Sequence, residues 1–113
     1  MDVLDKAVYE ELRDAAGADF VVELVATFME EAPIMLADLK RARQQGDGDL
    51  FRRSAHSLKS NGATFGALHL ASQARALELG GLSPDAVPDL AAIARLEAAY
   101  QQAAAALQEL ARG

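Results

Sequence analysis

Gly46, Asp47, Gly48 and Asp49 form the sharpest interruption in a chain whose apolar residues otherwise recur at three- and four-residue spacing. Glycine ends helices and aspartate starts them, so this tetrad closes one helix and opens another, with Asp47 or Asp49 as the cap. Weaker signals of the same kind divide the rest. Residues 3–16 carry Leu4, Ala7 or Val8, and Leu12 on one side and meet a stop at Gly17. From Asp19, read as the next cap, Phe20, Leu24, Phe28, Met35 and Leu39 keep helical spacing to Gly46. Pro33 lies inside that run, and an interior proline costs a helix about 3 kcal/mol, so a kink or break is expected near Glu31. A third helix extends from the tetrad to near Gly66. A fourth begins at about Leu68, carries Leu70, Ala74 and Leu77 on one face, and stops at Gly80 and Gly81. Ser83 before Pro84, or Pro88 in a first turn, marks the start of a last helix with Ile93, Leu96, Tyr100, Leu107 and Leu110 on its face.

No segment alternates as a strand would. Aromatic residues are 5% of a chain that is 51% apolar, so alanine and leucine supply the core, as in helices packed at modest separation. With 113 residues there is material for one core. The expected fold is all-α: an antiparallel four-helix bundle with a short additional N-terminal helix, forming a single domain over residues 1–113.

Seventeen acidic and eleven basic residues give a net charge of −6, which repels a nucleic-acid backbone. No apolar run approaches the roughly 20 residues of a membrane span, so membrane insertion is not expected. The opening MDVLDKAVYEEL lacks the basic start and apolar core of a signal peptide, which makes the cytoplasm the expected location. Without cysteine there is neither a disulfide nor a thiolate metal site.

The third helix concentrates the chemistry. At about 100° per residue, Phe51, Ala55, Leu58, Gly62 and Phe65 fall in one stripe, which should face the core. His56 lies roughly 140° away, beside Arg52, Arg53, Lys59, Ser60 and Ala63. A solvated histidine is the ordinary explanation for such a placement. Its neighbours favour another: Ser60 and Ala63 clear space on the same face, while Arg52 and Lys59 bring positive charge within reach. That surface suits a nucleophilic imidazole approached by a bulky partner and carrying an anionic group. Gly62, on the core stripe, is equally explained by close helix packing. His69 has no carboxylate or second histidine at helical spacing, so it reads as structural or solvated and no metal site is expected. No serine triad, phosphate-binding glycine loop or nucleotide pocket is present in the motifs, which disfavours an autonomous enzyme.

The stretch AHSLKSNGATFGA, residues 55–67, resembles the histidine-containing phosphotransfer (HPt) domains of bacterial and plant phosphorelays, whose usual pattern is His-x-Leu-Lys-Gly followed by small residues. The preceding FMEEAPIMLADLKRARQQGD and the downstream ARALE are similar to that family as well. The resemblance implies a four-helix bundle with an N-terminal helix. It makes His56 the phosphoacceptor, attacking the aspartyl-phosphate of a response-regulator receiver and returning the phosphoryl group to another receiver aspartate. Lys59 would stabilise the phosphoryl charge, Arg52, Arg53, Ser60 and Ala63 would meet the partner, and Gln73 from the neighbouring helix would orient the imidazole. Magnesium would sit in the receiver, leaving this chain without a cofactor of its own. The implied partners are receivers and a hybrid sensor histidine kinase, with the chain a monomeric phosphocarrier. Ser60 stands where the family commonly has glycine, and Asn61 where alanine or serine is frequent. Two other readings are a phosphoacceptor domain of a chemotaxis-type histidine kinase, which HSLK and ATFG also resemble, and a non-catalytic helical adaptor.

Overall fold

The computed structural model describes residues 3–112, which form five α-helices: α1 (Lys6–Ala16), α2 (Ala18–Gln45), α3 (Gly48–Thr64), α4 (Leu68–Gly80) and α5 (Ala86–Arg112). Among the described residues there is no strand. Helices α2, α3, α4 and α5 contact one another in a closed cycle, and α1 packs on α2 and α3. Phe51, Leu39, Leu58, Leu70, Ile93, Leu96, Leu107 and Val21 are the largest side chains wholly buried between them. Burying an aliphatic or aromatic side chain of this size contributes about 1.5–3 kcal/mol, so this shared interior is the main cohesive contribution.

Local chemistry explains where the helices begin. Asp5 accepts a hydrogen bond from the Ala7 amide, so α1 starts at Lys6 rather than at residue 3. Asp19 is not a cap: α2 starts at Ala18 after Gly17, and Asp19 lies in the first turn, where its charge complements the helix dipole. Of the two aspartates in the glycine-aspartate tetrad, Asp47 is the cap and accepts from the Leu50 amide at 3.0 Å. At the last helix Ser83 is not the cap, whereas Pro88 lies in the first turn as its sequence position suggests. Asp85 accepts from the Val87 amide at 3.0 Å, and Pro88 occupies an early helical position that needs no amide proton.

Helix α2 runs unbroken through Pro33, against the expected interruption. Proline removes the amide that would have bonded the carbonyl four residues earlier, that of Met29. The hydroxyl of Tyr100 on α5 donates to that carbonyl at 3.3 Å. The acceptor orphaned by proline is therefore satisfied from another helix. The Tyr100 ring also meets Phe28 edge-on at 5.6 Å, and burial raises the phenol above its ordinary pKa, keeping it protonated as a donor.

The buried face of α2 also differs from the expected one. Val21, Val25, Phe28, Ala32, Leu36, Leu39 and Ala42 face inward, whereas Phe20 is half exposed. Small and β-branched residues hold the register there, and following only the large side chains misplaces its first turns. On α1, likewise, Tyr9 is the buried residue.

Two further contacts fix how the helices meet. Between α3 and α4, Gly66 has φ +79°, and a Cβ there would stand 2.6 Å from the Asp5 carbonyl oxygen. The Asp5 amide donates to the Gly66 carbonyl at 2.8 Å, so the glycine lets α1 dock against this turn. At the opposite end Arg43 donates to Asp89 at 2.6 Å and to the Ser83 carbonyl at 2.7 Å. Asp89 also accepts from the Ser83 amide and hydroxyl, both at 2.9 Å. Burial would raise the Asp89 pKa, but the bonds from Arg43 and Ser83 outweigh it and hold the carboxyl below its ordinary range. The cluster ties the end of α2 to the start of α5.

Tyr100→Phe should destabilise the fold by about 1 kcal/mol in urea unfolding, because the Met29 carbonyl is then left without a donor. The loss should shrink when Pro33 is also replaced by alanine, whose amide can take the tyrosine's place. Equal losses in both backgrounds would contradict this explanation of the unbroken helix.

Candidate functional site

Helix α3 has the facing that its sequence predicts. Phe51, Ala55, Leu58 and Gly62 are buried, with Phe65 just beyond its end, while His56, Arg52, Arg53, Ser60 and Ala63 are exposed and Lys59 is half-buried. Gly62 lies where α3 crosses α4. A Cβ there would stand 3.4 Å from the Ala67 carbonyl, the Ala71 amide nitrogen and a Leu70 methyl, at the limit of ordinary contact. Its carbonyl accepts from the Ala67 amide at 2.8 Å. The absent side chain lets the two helices approach closely and sets the exposed edge of α4 beside the histidine.

That edge carries Glu78. One of its oxygens lies 2.7 Å from His56 Nδ1, and the other accepts from Lys59 Nζ at 2.7 Å. The Lys59 ammonium, and after it the His56 ring, hold the Glu78 carboxyl below its ordinary pKa, so it is ionised near neutrality. An ionised carboxylate only accepts hydrogen bonds, so Nδ1 must carry the proton. In the neutral ring this leaves the lone pair on Nε2. The imidazole side chain is 57% exposed, against 17% for Glu78, so the ring faces solvent and the acid bonded to it is sheltered.

Glu78 was not among the residues expected at the site. It ends the segment ARALE at the margin of the α4 apolar stripe, and its proximity to His56, 22 residues earlier, depends on the register between the helices. Close packing at Gly62 is the sequence signal from which that register can be drawn. Gln73 does not meet the His56 ring. Its amide lies 3.0 Å from His69 Nε2, one turn earlier on α4. Five positions separate Gln73 from Glu78, which turns them about 140° apart around the helix axis. His69 is exposed, as its sequence context suggests.

Arg52 and Arg53 are both held by Asp49, at 3.0 and 2.9 Å. All three side chains are exposed, so these pairs are worth at most about 1 kcal/mol and exchange readily for another anion. Ser60 and Ala63 present small side chains on the same face, and the Ser60 carbonyl accepts from the Thr64 hydroxyl at 2.9 Å. On the far side of α3, Asn61 donates to the Ser57 carbonyl at 2.9 Å and reaches the Met35 sulfur at 3.9 Å, which places its amide between α3 and α2. The polar residue that departs from the usual pattern is thereby accommodated off the histidine face.

The arrangement offers an exposed nucleophilic nitrogen, a fixed tautomer, an adjacent ammonium and a surface cleared of bulky side chains. Phosphoryl transfer depends on positioning and charge stabilisation of this kind. No curated protein sequence matches the chain. The crystal structure of histidine-containing phosphotransfer protein B (HptB) from Pseudomonas aeruginosa PAO1 superposes with a TM-score of 0.84 at 25% sequence identity, covering 97% of this chain and 95% of that one. The family model described as Hpt domain matches residues 23–111, which span α3, α4 and the whole Glu78–His56–Lys59 constellation. This chain belongs to the histidine-containing phosphotransfer family.

Proposed function

We propose that this chain is a phosphorelay intermediate, folded as an antiparallel four-helix bundle with α1 as a lead-in helix. In this reading His56 takes a phosphoryl group from a receiver aspartyl-phosphate and passes it to a second receiver aspartate. The observation that carries the reading is the 2.7 Å contact between His56 Nδ1 and Glu78, from which the place of the ring proton follows. With Nδ1 bonded to ionised Glu78, Nε2 keeps its lone pair on an exposed ring whose carboxylate partner is shared with a lysine. In-line attack by Nε2 forms the nitrogen–phosphorus bond as the aspartyl oxygen departs. Lys59 Nζ lies one carboxylate away from the ring, and its three N–H donors allow it to turn one toward the equatorial phosphoryl oxygens while another stays on Glu78.

The chain supplies a carrier rather than a complete catalyst. Magnesium and the acidic residues that bind it belong to the receiver in this scheme, as does the aspartate that gives or takes the phosphoryl group. Ser60 and Ala63 leave room for the partner to approach Nε2. Arg52 and Arg53 exchange Asp49 for its acidic surface, and a monomer leaves this face open. A hybrid sensor kinase, through its own receiver, is the upstream donor.

Incubation with a panel of phosphorylated receivers should label the native protein and leave His56→Gln unlabelled with its thermal unfolding unchanged. Labelling only by a chemotaxis-type kinase with ATP would favour the kinase-domain reading, and no labelling from either source would favour the adaptor. Ser60→Trp should slow transfer from a receiver by about tenfold or more while changing stability by no more than about 0.5 kcal/mol, because the site is exposed. Undiminished transfer in that variant would remove Ser60 from the docking surface.

A further inference from the structure

Both oxygens of Glu78 are occupied by nitrogen partners, one on the reactive ring and one on Lys59. Lysine balances much of the carboxylate's charge, and what remains is directed at Nδ1. This division of one charge bears on what happens after His56 is loaded, and the following step rests on His56 being the phosphoacceptor.

When the neutral ring attacks an acyl phosphate, the Nε2 lone pair forms the bond to phosphorus. The electron pair of the breaking phosphorus–oxygen bond leaves with the donor carboxylate. No proton needs to move: Nδ1 keeps its hydrogen and the ring becomes a cation bearing the phosphoryl group. In that form the phosphoryl group leaves easily, because the departing fragment is neutral imidazole. Loss of the Nδ1 proton would make the departing fragment imidazolate, a much poorer leaving group, and would strand the phosphoryl group on the carrier. The proton on Nδ1 thus decides whether the loaded protein remains a donor.

We propose that Glu78 retains the Nδ1 proton of phosphorylated His56 and so keeps the carried phosphoryl group transferable, while Lys59 sets the strength of that hold by sharing the same carboxylate. Glu78 is then a positioning residue for the tautomer before transfer and a proton-retaining partner after it. Its place on the sheltered side of the ring allows both, because the bond persists while Nε2 changes partners. Other charged side chains have partners of their own: Arg52 and Arg53 pair with Asp49 in exposed contacts on α3, and Asp38 pairs with Arg41 on α2. Among the described residues, Glu78 is the acid within ion-pair distance of the His56 ring. Arg75, three residues before Glu78 on α4, is exposed.

The test loads the full chain without any partner, using phosphoramidate, and follows loss of phosphohistidine by phosphorus NMR across mildly acidic to alkaline pH. His56→Gln provides the background from His69. Loss should slow on the alkaline side as Nδ1 gives up its proton. That limb should lie about one pH unit lower in Glu78→Gln than in the native protein, making loss roughly tenfold slower at pH values between the two midpoints. In Lys59→Met the limb should move the other way, since the carboxylate then serves the ring alone. Circular dichroism confirms that each variant is folded. Superimposable limbs for the native protein and Glu78→Gln, or a shift of both variants in one direction, would overturn the proposal. Failure of phosphoramidate to load His56 would overturn it together with the phosphoacceptor role. Normal limbs and shifts in a protein that no receiver labels would uphold this proposal and remove the relay reading instead.

Discussion

The site depends on one carboxylate that serves two helices and two functions. Glu78 reaches from α4 to α3, where one oxygen accepts a hydrogen bond from His56 Nδ1 and the other accepts from the ammonium of Lys59, both at 2.7 Å. Without it, the exposed imidazole would sample both tautomers and the lysine would be one of several surface cations. With it, Nε2 is left with the free lone pair and the lysine is held on the same carboxylate as the ring. The net value of such a pair to folding is small at a solvent-facing edge, so its importance lies in orientation and proton placement.

The rest of the bundle can be understood as support for that contact. Gly62 lets α3 and α4 cross closely, and the Gly66 turn returns the chain so that α4 runs back beside α3, with α1 docked against the connection. On the other side, α2 stays continuous past Pro33 because Tyr100 replaces the missing donor, which preserves one long surface for α3 and α5 to pack on. The Arg43–Asp89–Ser83 cluster fixes the loop between α4 and α5 at the end of the bundle near the start of α3, the helix that bears the histidine. These are distinct physical devices: a missing side chain, a positive φ, a rescued carbonyl and a buried ion pair. None provides the chemistry, but each restricts where the helices can lie.

Much of this was legible in the sequence where the information is local. The stripe Phe51, Ala55, Leu58, Gly62 and Phe65 follows from helical geometry alone, and the same geometry exposes His56, Ser60 and Ala63. Asp47 was one of two readable caps, and α4 begins and ends where its leucines and glycines suggest. What was not legible depends on pairing between distant residues. Tyr100 donates to a carbonyl 71 residues earlier, so the proline could be read only as a breaker. Glu78 meets His56 through an interhelical register that no spacing within α4 encodes, and attention to polar residues beside the stripe selected Gln73 instead. The α2 register was missed for another reason: its inward face begins with Val21 and Val25, while the conspicuous Phe20 points outward.

The central claim concerns which nitrogen bears the proton and which the phosphoryl group, and nitrogen NMR of uniformly labelled protein addresses it directly. In the unmodified protein near neutral pH, long-range proton–nitrogen correlation should show His56 as the Nδ1-protonated tautomer. After loading, the phosphorus coupling should appear on Nε2. A ring protonated on Nε2 before loading, or phosphorus coupled to Nδ1 afterwards, would contradict the account.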